Sequence, residues 1–107
     1  MTIYERRTYD VTVGKMAECI ELYRDEGYAA LEAGGFSEHL VGYFISDTGP
    51  LHQLIHIWRF DDDAGRRDFW ARLFADDTFM AFAAKLRPNL AHQEIQLMQP
   101  APWGPNP

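Results

Sequence analysis

Residues 51–60 (Leu51, His52, Gln53, Leu54, Ile55, His56, Ile57, Trp58, Arg59, Phe60) alternate with a period of two and run directly into Asp61-Asp62-Asp63. A period of two is strand geometry, since successive side chains point to opposite faces. Three carboxylates in a row suit a helix N-terminus, where they offset unpaired N–H groups and the helix dipole. The stretch therefore reads as a strand feeding a helix with almost no connection. Upstream, Thr48-Gly49-Pro50 is a turn signal and residues 38–47 form another β-rich run. The two runs predict a hairpin.

The rest of the chain fits around that unit. Residues 3–11 form a β-rich run bounded by Gly14, which predicts a first strand. Residues 15–33 carry Met16, Cys19, Ile20, Tyr23, Gly27, Ala30 and Leu31 at helical spacing, with Gly34-Gly35 as a stop. After the aspartates, Phe69, Trp70, Leu73 and Phe74 give a second helix its apolar side. Asp76 and Asp77 break that helix and cap a further helical piece bearing Phe79, Phe82, Ala83 and Leu86, which Pro88 ends. Residues 91–99 alternate again and predict a fourth strand, with Ile95 and Leu97 opposing Glu94, Gln96 and Met98. The order β-α-β-β-α-β predicts an α+β, ferredoxin-like fold, with helices on one face of a four-stranded antiparallel sheet. Residues 1–99 form the expected domain. Residues 100–107 form a Pro-rich tail, expected to pack through Trp103.

Such a fold leaves one sheet face open. Leu54, Trp58, Phe60 and Met98 are expected there, a patch too apolar for a lone soluble domain. A homodimer packing sheet on sheet would cover it. Three Trp, five Tyr and seven Phe in 107 residues point the same way, because a small two-layer domain rarely hides so much aromatic area. The formal net charge of −6 comes with no basic stripe, which excludes a nucleic-acid surface and disfavours an acidic membrane. No apolar run approaches membrane-spanning length. One cysteine, Cys19, permits no internal disulfide, and the N-terminus lacks a signal-type apolar region. A cytoplasmic location is expected.

Several blocks resemble the NIPSNAP family. They are Tyr4-Glu5 with Arg7-Thr8-Tyr9 and Gly14-Lys15, then Leu40-Val41-Gly42-Tyr43-Phe44, then His56-Ile57-Trp58-Arg59-Phe60 with Asp62-Asp63 and Arg66-Arg67, and finally Phe69-Trp70-Ala71 with Leu73. The resemblance spans roughly residues 3–99. It implies a ferredoxin-like dimeric α/β barrel. The family's short bacterial members have no settled activity, and related barrels include small monooxygenases, haem-degrading enzymes and lactone isomerases. Arg6 departs from the family pattern, which is usually aliphatic at that position, and it is expected to face the helices and snorkel or pair.

His52 and His56 would suit one metal ion on a helix. On a strand they lie about 13 Å apart, too far to share one, and no metal site or cofactor is expected. Calcium is also excluded, because a loop starting at Asp61 would need a glutamate where Arg72 stands. Glu5, Arg7 and Tyr9 share a face of the first strand and would meet His56 and Trp58 across the sheet. A buried Glu–Arg pair can fix strand register, or leave Arg7 to hold an anion while Glu5 or His56 moves a proton. The expected catalytic candidates are His56 and Glu5, and the expected ligand contacts are Arg7, Tyr9, Trp58 and His52. Three functions follow. The first is a homodimer binding a small hydrophobic ligand in its cleft. The second is a cofactor-independent isomerase or small monooxygenase acting on an aromatic or lactone-like substrate. The third is a purely structural dimerisation module.

Overall fold

The computed structural model describes residues 1–107. Four strands, β1 (Ile3–Val11), β2 (Leu40–Ile45), β3 (Gln53–Phe60) and β4 (Leu90–Met98), form one sheet in the order β2-β3-β1-β4. All neighbours are antiparallel. The helices are α1 (Met16–Leu22), α2 (Tyr28–Ala33), α3 (Asp63–Phe74) and α4 (Asp77–Leu86). This is the ferredoxin-like arrangement expected from the pattern.

The helix expected over 15–33 is interrupted. Tyr23–Gly27 form a π-helical turn between α1 and α2. Gly27 lets α4 approach closely there, since a Cβ on it would lie 2.6 Å from the Phe82 ring. Gly35 takes a positive φ of 75°, which supplies the predicted stop. The aspartates cap as anticipated: Asp62 accepts from the Gly65 amide at 2.7 Å and Asp76 from the Phe79 amide at 2.8 Å. β2 is shorter than the expected 38–47, because Phe36–His39 form a 3-10 turn instead.

The largest correction concerns which face the helices cover. Leu54, Trp58 and Phe60 lie beneath them, where the open face was expected. Trp58 and Phe60 pack with Leu31, Phe36, Phe69, Trp70 and Leu73. Leu54 joins Val11, Cys19, Phe82 and Leu86 in a second cluster. Met98 alone of the four stays on the open side, paired with Tyr4. Alternation shows which residues share a face but not which face is covered, and a one-residue misassignment inverts the whole strand. Arg6 is inverted too. It pairs with Ile57 and Gln96 on the open face, away from the helices. That face carries Phe44, Ile55 and Ile57 beside Arg6, Glu94 and Gln96. The tail folds back so that the Tyr4 hydroxyl donates to the Pro107 carbonyl. Trp103 does not anchor it, being 86% exposed.

Candidate ligand-binding site

The helix-covered face holds a polar seam within the aromatic core. Its order follows from strand register: Glu5 opposes Trp58, Arg7 opposes His56 and Tyr9 opposes Leu54. Paired residues point to the same side, so Glu5, Arg7, Tyr9, His56 and Trp58 lie together, as the sequence implied. Their setting differs from that expectation, because they lie between sheet and helices and not on the open face.

At one end of the seam the polar groups are saturated. Glu5 is fully buried. One carboxylate oxygen accepts from Arg7 Nε at 2.6 Å. The other accepts from an Arg66 Nη at 2.8 Å and from Trp70 Nε1 at 3.1 Å. Arg66 reaches onward to Asp63 at 2.8 Å, and the Asp63 carboxyl is held below its usual range by Arg67 and Arg66. Arg7 sits over the Trp70 ring, its guanidinium carbon 3.7 Å from the ring centre. These contacts fix the plane of Arg7 but use only one of its five N–H donors.

The other end is unsaturated. His56 is 2% exposed. Its ring is stacked on Tyr43, with centroids 4.6 Å apart and planes at 12°, and Tyr9 meets it edge-on at 4.8 Å. Trp58 Nε1 donates to His56 Nδ1 at 2.7 Å. An indole N–H can only donate, so Nδ1 is the acceptor and carries no proton. Burial, reinforced by the nearby Arg7 charge, pushes the His56 pKa from 6.5 down to about 3. The ring is therefore neutral at pH 7, with its one proton on Nε2. That Nε2–H is sealed from solvent and has no partner in the protein. An unmatched buried donor costs about 1–3 kcal/mol, so native folds rarely keep one without a use.

A cavity of about 50 Å³ adjoins this ring. Arg7, Tyr9, Tyr23, Tyr43, His56 and Trp58 line it, and the remaining wall is mostly apolar, from α3, α4 and β4. The volume suits roughly three or four water molecules, or a head group of similar size. Half-exposed Phe74 and exposed Gln93 mark the side where it approaches the surface. Burial, with a smaller push from Tyr9, holds the Tyr43 hydroxyl protonated, and burial with Tyr43 and Tyr9 beside it does the same for Tyr23, both well above the usual phenol range.

Four of the six sequence candidates, Arg7, Tyr9, His56 and Trp58, thus border one cavity. Glu5 stands behind Arg7 and lines none of it. His52 does not join them. It precedes β3 with a positive φ of 60°, so the strand alternation stops before reaching it. Sequence reasoning missed Tyr43, Tyr23, Arg66 and Trp70 as parts of the seam. Tyr43 was accessible in principle, because equal spacing about Gly49-Pro50 pairs it with His56. Arg66 and Trp70 are four apart on α3 and so share a side. Tyr23 opens the π-turn on the helix face whose apolar spacing was recognised, but its meeting with Tyr43 is a tertiary contact. There is no cluster of three or more metal-ligating side chains.

The NIPSNAP family model matches residues 4–105. A NIPSNAP family protein from Agrobacterium tumefaciens is 32% identical, with 98% of each chain covered and a TM-score of 0.90. A NIPSNAP domain protein from Burkholderia xenovorans is 33% identical over 97% of this chain and 99% of its own, with a TM-score of 0.85. An antibiotic biosynthesis monooxygenase aligns over 94% of this chain and 99% of its own with a TM-score of 0.65, but at 14% identity the likeness is one of fold alone. No curated protein is significantly similar to the chain.

Proposed function

The chain belongs to the NIPSNAP family, and from that premise we propose that it is a homodimer whose subunits each bind a small ligand in the cleft between sheet and helices. The observation that carries this reading is the unpartnered Nε2–H of His56 beside a cavity that Arg7 also borders. A filled structural interior has no reason to maintain that donor. The cavity wall is apolar, so the ligand combines an apolar body with at least one polar group. A thermal-shift screen against small amphipathic metabolites tests this. A stabilisation of several degrees that saturates with concentration is expected. A screen in which nothing stabilises the protein sinks the reading and favours the structural-module alternative.

The geometry favours binding over proton transfer by the two catalytic candidates. A general base needs a free lone pair and a pKa near the working pH. His56 has neither, because Trp58 occupies Nδ1 and burial lowers its pKa to about 3. The Glu5 carboxylate is engaged by three donors and lies behind Arg7. We assign Glu5 to positioning Arg7.

Dimerisation is proposed through the open sheet face. Ile55 and Ile57 form its apolar middle and Phe44 is 53% exposed beside them. Sedimentation equilibrium at micromolar concentration is expected to give twice the chain mass, and a monomeric mass removes this part of the proposal. No helix is long and apolar enough to cross a membrane. Cys19 is free, and burial pushes its thiol pKa up. An unreactive buried thiol fits the cytoplasmic location we propose, and fractionation of the native host would check it.

A further inference from the structure

The cavity is lined by Arg87, Gln93 and three tyrosines as well as by Arg7 and His56, and it is these last two whose donors identify the chemistry of the group they receive. The first is His56 Nε2–H, whose tautomer is set by the Trp58 hydrogen bond. The second is the Nη side of Arg7, which donates to no protein atom while Nε is tied to Glu5. Both only donate, and one carries full charge. The Glu5 carboxylate is shared between Arg7 and Arg66, so it neutralises Arg7 only in part. The tyrosines facing His56 are Tyr9 and Tyr43, and Tyr23 lies against Tyr43. No carboxylate lines the cavity to repel an anion.

We propose that this cavity is a receptor for an anionic oxygen, the carboxylate or enolate head of a small organic acid, held between His56 Nε2–H and the Arg7 guanidinium. This deepens the ligand-binding reading and rests on it. His56 acts as a fixed neutral donor, and its neighbours keep it so. Stacking on Tyr43 and the bond from Trp58 prevent the ring from turning Nδ1 inward. Neutrality matters, because a neutral imidazole donates to the oxygen without surrendering a proton to it. Such a donor stabilises charge that develops on an oxygen. About 50 Å³ takes the head group, and the apolar remainder of the ligand extends toward Phe74 and Gln93. Because Nε2 is sealed from solvent, the acceptor reaches it through a small shift of the lining side chains.

The test uses the full chain with ¹⁵N-labelled histidine at pH 7, titrated separately with sodium butanoate, butan-2-one and xenon. Before addition, the His56 signals should show a neutral ring protonated at Nε2. Butanoate should shift the Nε2–H proton downfield to saturation and bind about tenfold more tightly than butan-2-one. His56→Asn keeps an acceptor for Trp58 but loses the inward donor, and should weaken butanoate about tenfold or more. His56→Gln, which can place an amide N–H near the Nε2 position, should retain most of the affinity. Equal affinity for butanoate and butan-2-one would overturn the proposal, as would an Asn variant that binds as well as the native chain. If xenon or butan-2-one binds and butanoate does not, the cleft binds ligands but this inference falls. If none of the three binds, both fall.

Discussion

The two ends of one polar seam, two residues apart along the β1–β3 pair, have opposite hydrogen-bond economies. At the Glu5 end every inward carboxylate oxygen is matched, by Arg7, Arg66 and Trp70. At the His56 end one face of the imidazole is locked by Tyr43 and Trp58, while Nε2 has nothing. Both ends are equally buried and share the same aromatic roof. Burial of an ionisable group is therefore not what separates architecture from function here. The difference lies in whether the buried group is satisfied. The matched end holds the fold and aims Arg7, and the unmatched end is where a ligand has something to gain.

Breaking the matched end should cost most. Glu5→Gln leaves Arg7 and Arg66 without their shared counter-charge, and urea denaturation should show a loss of about 3–5 kcal/mol. A loss under about 1 kcal/mol would mean the network is not structural. Next comes the packing that shapes the unmatched end. Gly27→Ala pushes a methyl into the Phe82 ring and should cost about 1–3 kcal/mol by the same measurement. An unchanged midpoint would show that the π-turn is free to move away.

The third prediction concerns pH. His56 has a folded-state pKa of about 3 against an ordinary 6.5, so the unfolded chain binds the extra proton. Its contribution is whole above pH 6.5 and is lost as the pH falls from there toward 3. Stability should drop by about 1.4 kcal/mol per pH unit between pH 6 and 5, before most carboxylates titrate. His56→Asn should flatten that slope, and an identical slope in the variant would refute the buried neutral ring. The smallest effect belongs to the outer clip of the same region. Lys85 bonds Glu26 at 2.8 Å across the π-turn, but both are exposed. Lys85→Ala should change stability by less than about 0.5 kcal/mol in thermal melts. A larger loss would show that the clip braces the cavity wall.

Much of the fold was legible because its signals are local. The aspartate caps, the Gly34-Gly35 stop and the hairpin turn each act within a few residues. The ferredoxin-like class followed from the order of elements along the chain. The site was half legible. Alternation put Glu5, Arg7 and Tyr9 on one face, and pairing brought His56 and Trp58 to them. His52 escaped that logic because one positive φ ended the strand early. Tyr23 stood on the predicted apolar helix face, but helical spacing alone does not say which strand residues that face meets.

By itself, then, the sequence determined the family, the element order and the residues that share a strand face, all consequences of short-range periodicity and chain connectivity. Only the tertiary structure decided which sheet face the helices cover, and with it that Trp58 and Phe60 are core while Arg6 is not. The physical reason is symmetry. A strand has two equivalent sides until something packs on one of them, and that choice belongs to Leu31, Phe69, Trp70 and Leu73 on distant helices. The same packing decided that Glu5 would be matched and His56 Nε2 left waiting.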